Sequence, residues 1–195
     1  MRQAMNGTEL RVLAGFFPET KDITIKELEQ KSDYSYERVY STLKKLRGYG
    51  AVIRKKVGRI LTFSLVPESD LALLGFFCHS IKRRSEFAKS NRNMWKLLKE
   101  FSANDGIRCM VLFGSYAKGD ASDKSDVDVL CVADADIEIE TVARSLTHKY
   151  GIRLNPVKVK SIKDIEMDNR AFYEDVVEYG YVIKGLEYFY EQVYR

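Results

Sequence analysis

The spacing of apolar residues changes character twice along this chain. Over residues 8–17 (TELRVLAGFF), Leu10, Leu13 and Phe17 fall at helical spacing, and Pro18 stops that helix. Thr24-Ile25-Lys26-Glu27 has the S/T-x-x-E form of a capping box and opens a second helix that runs to about Lys31. Asp33 to Ser35 can cap a third, with Val39, Leu43 and Leu46 as its buried stripe and Gly48 and Gly50 at its end. Two β-rich segments follow, 51–54 and 59–65, joined by a basic turn that contains Gly58. Pro67 to Asp70 reads as a boundary and helix cap. Residues 70–103 are mainly helical, with Leu71, Leu74, Phe77, Cys78 and Ile81 as one stripe and Met94, Trp95, Leu98 and Phe101 as another, separated at Ser90 to Asn93. From Ile107 the pattern becomes strand (107–113), turn, strand (127–133), helix (137–149), strand (152–160) and helical segments near 161–169 and 171–178, with an edge strand at 181–183. Alternation of this kind predicts a small α/β layer with helices covering a sheet.

Three short helices followed by a hairpin resemble a winged helix-turn-helix domain, over roughly residues 5–67. Charge supports a division into modules. Residues 1–69 carry a net +5, residues 70–105 a net +3, and residues 106–195 a net −4, within a chain of net +4. Residues 36–59 hold eight basic side chains against one acid, Glu37. On the third helix, Tyr36, Arg38, Tyr40, Ser41, Lys44, Lys45 and Arg47 lie off the apolar stripe or at its margins. The resemblance implies that these face the major groove of double-stranded DNA, with Arg54, Lys55, Lys56 and Arg59 of the wing gripping phosphates. The alternative is a solvated face on a domain that docks protein.

The expected organisation is therefore α/β (α+β): a winged helix over 1–68, a helical connector over 69–104 and a mixed sheet with flanking helices over 105–195. No apolar stretch approaches the ~18 residues of a membrane span, and MRQAMNGTELRVL lacks the apolar core of a signal peptide. Cys78, Cys109 and Cys131 are an odd set without C-x-x-C spacing, which points to a reducing cytoplasm and to neither disulfides nor zinc. Cys109 and Cys131 read as core filler, His79 and His148 as packing or surface residues, and the tyrosine-rich tail (Tyr181 to Tyr194) as helical packing or a homodimer surface.

The chemistry concentrates in MVLFGSYAKGDASDKSDVDVLCV, residues 110–132. Gly114 removes the Cβ that would hold a phosphate away from the backbone, and Ser115 adds a hydroxyl and an N–H. Asp126 and Asp128 are two apart on a strand, so their carboxylates share a face while Val127 and Val129 point into the core. Paired carboxylates repel unless a cation lies between them, and Mg²⁺ is the hard ion that carboxylates and phosphates share. Lys118 is placed to neutralise a polyphosphate, and Gly119 lets the turn fold back.

Gly114-Ser115, Lys118-Gly119 and Ser125-Asp126-Val127-Asp128 resemble the GS-x₁₀-D-x-D signature of the DNA polymerase β-like superfamily, and in particular its minimal nucleotidyltransferases. The likeness extends over residues 105–185. It implies transfer of a nucleoside monophosphate from an NTP to an acceptor, with release of pyrophosphate. Gly114 and Ser115 would hold the β- and γ-phosphates, and Asp126 and Asp128 would ligate one or two Mg²⁺ ions. Active members of that superfamily carry a third acid on a later strand; here the strand 152–159 offers Asn155 and no acid. Asn cannot serve as a base. Three readings follow: a transferase acting on a protein, nucleic acid or small-molecule acceptor; a DNA-binding regulator that senses Mg-NTP without turnover; and an interaction module with a dead site.

Overall fold

A computed structural model describes residues 5–19, 21–66, 69–122 and 125–194, so the Pro67-Glu68 part of the expected boundary lies outside the described residues. The chain forms two compact units, one running to Ile81 and joined by Tyr194, the other Lys82–Val193. Residues 69–81 thus cluster with the first unit and residues 82–104 with the second.

In the first unit, helix α1 (Gly7–Ala14) opens on a capping box in which the Asn6 side chain accepts from the Thr8 and Glu9 amides and Glu9 accepts from the Asn6 N–H. The helix ends at Ala14, ahead of Pro18, and its buried residues are Glu9, Val12 and Leu13, followed in the next turn by Phe16. The expected stripe of Leu10, Leu13 and Phe17 is therefore corrected by about one position. Strand β1 (Ile23–Thr24), too short to show periodicity, leads into helix α2 (Ile25–Ser32), whose Thr24–Glu27 capping box forms as expected. Helix α3 (Tyr36–Gly48) buries Val39, Leu43 and Leu46 together with Thr42. Strands β2 (Val52–Val57) and β3 (Ile60–Leu65) form a hairpin, and β1 adds to β3, giving the antiparallel order β1-β3-β2.

β2 runs further than expected: Lys55, Lys56 and Val57 belong to the strand, and the turn is only Gly58-Arg59. Gly58 at φ 61° supplies the left-handed residue that a two-residue hairpin loop requires.

Helix α4 (Asp70–Ser90) corrects a second stripe. Leu74 and Ile81 are 45% and 47% exposed, while Ala72, Leu73 and Phe76 are buried. The run LALLGFFC is apolar on every side, so its spacing could not select a face. Small residues select it instead: a Cβ at Gly75 would lie 2.5 Å from the Leu13 Cβ, so α4 meets α1 at a position where only glycine fits.

The second unit takes the remainder of α4, helix α5 (Arg92–Ser102), strand β4 (Ile107–Leu112), the short helix α6 (Gly114–Lys118), strand β5 (Val127–Ala133), helix α7 (Ile139–Tyr150), strand β6 (Leu154–Val159), helices α8 (Ile162–Asp168) and α9 (Arg170–Tyr179), strand β7 (Tyr181–Lys184) and most of α10 (Leu186–Tyr194). The sheet order is β6-β5-β4-β7; β5 and β6 are parallel and the other pairs antiparallel. α5 and α7 supply Met94, Leu97, Leu98, Phe101, Ala143 and Leu146 to a core that the strands complete with Met110, Leu112, Val127 and Val129.

β6 is an edge strand with Pro156 in its middle. Val127 donates to the Arg153 carbonyl, and the Leu154 N–H, outside that ladder, donates to the Thr147 hydroxyl at 3.1 Å. Among the described residues no helix is long and apolar enough to cross a membrane.

Candidate active site

Three chain segments converge at one end of the second sheet. β4 runs antiparallel to β5, so its C-terminal end (Leu112, then Phe113 and Gly114) lies beside the start of β5, and the parallel neighbour β6 starts there too. The Phe113 amide donates to the Asp128 carbonyl at 3.0 Å, closing the ladder where the chain turns into α6. What reads in the sequence as a plain turn is thus a five-residue helix beginning at Gly114.

Gly114 has φ 70°, and a Cβ built on it would lie 2.6 Å from Asp128 Oδ2. The Asp128 carboxylate lies where a side chain on Gly114 would go, and the left-handed backbone there favours glycine. Ser115 is the second residue of α6, and its carbonyl accepts from the Gly119 and Asp120 amides, folding the chain back at a left-handed Gly119. Asp126 and Asp128 are half-buried, while Val127 and Val129 are fully buried, so burial alternates as the two-residue period demands.

Each acid has a partner from the β6 side. Asn155 Nδ2 donates to Asp128 Oδ1 at 2.8 Å, and Arg153 Nε lies 3.5 Å from Asp126 Oδ2. Among the described residues no three His, Cys, Asp or Glu side chains gather where they could share a metal ion, so the acids at this corner stand as a pair. Their oxygen-only donor set, with Asp128 lying against Gly114, fits Mg²⁺ shared with phosphate.

Lys118, at the end of α6, is not free. Its ammonium pairs with Asp175 of α9 at 2.5 Å and lies 5.5 Å from the Tyr179 ring. The Asp175 hydrogen bond holds the Lys118 pKa above the ordinary lysine value. A second contact, Phe113 edge-on to Phe172 at 5.0 Å, docks the same face of α9. Sequence reading missed Asp175, because nothing in the pattern of α9 marks it apart from other helix-surface acids. Burial pushes the Cys109 and Cys131 thiols up to about 12, as core residues on β4 and β5.

In the first unit, Tyr36, Arg38, Lys44, Lys45 and Arg47 are exposed on α3, Arg54 to Lys56 are exposed on β2, and Arg59 is exposed in the turn. Tyr36 stacks on Tyr40 with centroids 6.0 Å apart, and Lys44 lies 4.6 Å over the Tyr40 ring. Arg38 is engaged locally: it sits 4.1 Å over Tyr34 and donates to Thr8 Oγ1 at 2.9 Å. Lys55 is 4.0 Å from Asp22.

Comparison with known proteins bears on the second unit. The nucleotidyltransferase domain family matches residues 94–188. "Putative protein adenylyltransferase MJ0604" of Methanocaldococcus jannaschii is 33% identical over 98 residues, an alignment that takes in 98% of that protein and 47% of this chain. "Putative protein adenylyltransferase MJ0141" of the same organism is 32% identical over 97 residues, 93% of its length and 44% of this chain. No solved structure gives a significant match. A relative matched across nearly its whole length, together with the domain match over the unit that holds the glycine–aspartate corner, places the chain in the nucleotidyltransferase domain family.

Proposed function

We propose that the second unit transfers a nucleoside monophosphate from a Mg²⁺-bound NTP to a protein side chain, and that the first unit is a winged helix that binds double-stranded DNA. The observation that carries the first half is the contact of Asp128 on Gly114: it sets one of the paired strand carboxylates against the glycine that begins α6. Gly114 and Ser115 hold the β- and γ-phosphates, and Asp126 and Asp128 hold Mg²⁺. The ion, when bound, screens the triphosphate charge and favours in-line displacement at the α-phosphorus. In the reaction an acceptor hydroxyl gives up its proton to solvent as its oxygen bonds to the α-phosphorus, the bond to the oxygen bridging to the β-phosphate breaks, and pyrophosphate leaves. Lys118, released from Asp175, neutralises the polyphosphate. The printed names of the two relatives, protein adenylyltransferases, favour AMP as the group and a protein as the acceptor.

A second reading is favoured by the Asn155–Asp128 hydrogen bond: a neutral amide stands where a base would take the acceptor's proton, so the unit binds Mg-NTP as a sensor without turnover. Incubation with each α-³²P-labelled NTP, Mg²⁺ and cell lysate separates the two. Label transfer that disappears in Asp126→Ala/Asp128→Ala supports the transferase. Stabilisation by NTP without transfer supports the sensor, and neither effect sinks both.

The DNA-binding half rests on the exposed basic residues of α3 and β2. A mobility shift that survives Lys44→Glu/Lys45→Glu/Arg47→Glu would remove α3 as the reading helix.

A further inference from the structure

The β2–β3 hairpin ends in apolar side chains that the basic-wing reading does not use. Val57 and Ile60 are the last partners of the ladder, on either side of Gly58-Arg59, and are 56% and 58% exposed. Directly paired residues project to the same face, so the two form one apolar tip. Ile53, at 43% exposed, lies on the same face two pleats back, with Lys55 between. Arg54 and Lys56 alternate onto the opposite face, and Arg59 occupies the turn itself. The hairpin thus carries basic side chains on both faces, with an apolar pair at its end and one further exposed apolar side chain, Ile53, towards its base.

Hairpin stability alone asks for β-branched residues beside the turn, and threonine would meet that requirement without exposing hydrocarbon to water. The pattern fits an element that enters a narrow polyanionic groove: cations hold the phosphates on each side, and a short apolar edge presses on the base steps between them. Resting on the DNA-binding reading above, we infer that Val57 and Ile60 form a wedge that enters the minor groove of duplex DNA, partly unstacks a base step and bends the duplex. Steps that unstack readily, TA and CA/TG, are its preferred sites. The occupant is set by charge complementarity: Arg54, Lys55, Lys56 and Arg59 surround the tip, and no acid lies between Glu37 and Ile60.

The test uses the full chain and an end-labelled duplex of about 30 base pairs with a central TA-rich stretch, read at low salt by mobility shift and by end-to-end energy transfer. Val57→Thr/Ile60→Thr keeps the β-branched backbone preference and removes the apolar tip, so its melting temperature should match that of the parent. The expected result is a parent complex bent on the order of 20–90° and a variant that still shifts the duplex but leaves it straight. Equal bending by both proteins, or a straight parent complex, overturns the wedge and leaves DNA binding in place. If the parent shifts no duplex, the DNA reading falls and takes the wedge with it. Parent protein that sediments with anionic vesicles through Val57 and Ile60, without bending DNA, assigns the tip to a lipid surface and overturns the inference.

Discussion

Asn155 and Asp128 are direct partners across the parallel β5–β6 pair, and the amide of one donates to the carboxylate of the other at 2.8 Å. The strand register therefore puts a neutral amide donor, and no third acid, against the carboxylate proposed to hold the metal. Replacing it, Asn155→Asp, sets a third acid against Asp128. In the absence of divalent cation the like charges should destabilise the protein by on the order of 1 kcal/mol. Addition of Mg²⁺ or Mn²⁺ should then raise the melting temperature more than it does for the parent. Thermal melts with and without the ion read both effects; a variant that gains nothing from the ion would remove the metal seat from this corner.

Gly114→Ala tests the corner itself. The left-handed backbone at φ 70° alone should cost about 1–2 kcal/mol, and the new methyl must also push Asp128 aside. NTP-dependent stabilisation should be lost in this variant even at temperatures where it remains folded. Calorimetric titration with ATP at such a temperature checks it.

Asp175→Asn frees Lys118 and removes a negative charge near the proposed polyphosphate. ATP affinity should rise a few-fold. Because Asp175 holds the Lys118 pKa above its ordinary value, the pair's contribution is complete below the ordinary lysine range and is lost as pH climbs through the raised value. The parent's melting temperature should fall through that alkaline window more steeply than the variant's.

The two core thiols give a prediction about the sheet. Cys78 is exposed, whereas Cys109 and Cys131 are buried. A thiol reagent at pH 8 should modify Cys78 quickly and reach the other two only after unfolding. Burial raises both core thiols to about 12 from an ordinary value near 9, so the unfolded chain deprotonates first, and stability falls from about pH 9 upward.

Gly75→Ala should destabilise the first unit by about 1–3 kcal/mol, since the added methyl meets the Leu13 Cβ. Denaturant unfolding followed by fluorescence checks the size, and a neutral result would mean that α1 gives way at that contact.

The sequence made strands β4 and β5 legible because each is an apolar run bounded by strong turn signals, and the glycine–aspartate corner lies between them; β6, interrupted by Asn155, Pro156 and Lys158, carries a weaker signal. The capping box of α2 could be read directly from Thr24 and Glu27. What escaped was set by partners distant in the chain. The buried face of α4 depends on Gly75 meeting Leu13, and an all-apolar run carries no angular preference that could announce it. The Lys118–Asp175 pair joins residues fifty-seven positions apart on elements whose docking is decided by Phe113 and Phe172. Arg38 read as a DNA-facing cation, yet Tyr34 in the turn before α3 and Thr8 of α1 hold it, the second a partner distant in the chain.

The edge strand β6 has a consequence for solubility. Since Val127 bonds to the Arg153 carbonyl, the odd-numbered residues of β6 face β5, and Leu154, Pro156 and Lys158 direct their backbone outward. Of these three, Leu154 has already given its N–H to Thr147, and Pro156 has none to give. A foreign strand seeking to extend the sheet there meets a ladder with two rungs missing. The side of the sheet nearest the acids is thereby guarded against runaway stacking, and an exchange of Pro156 for a β-branched residue would reopen it to fibre growth.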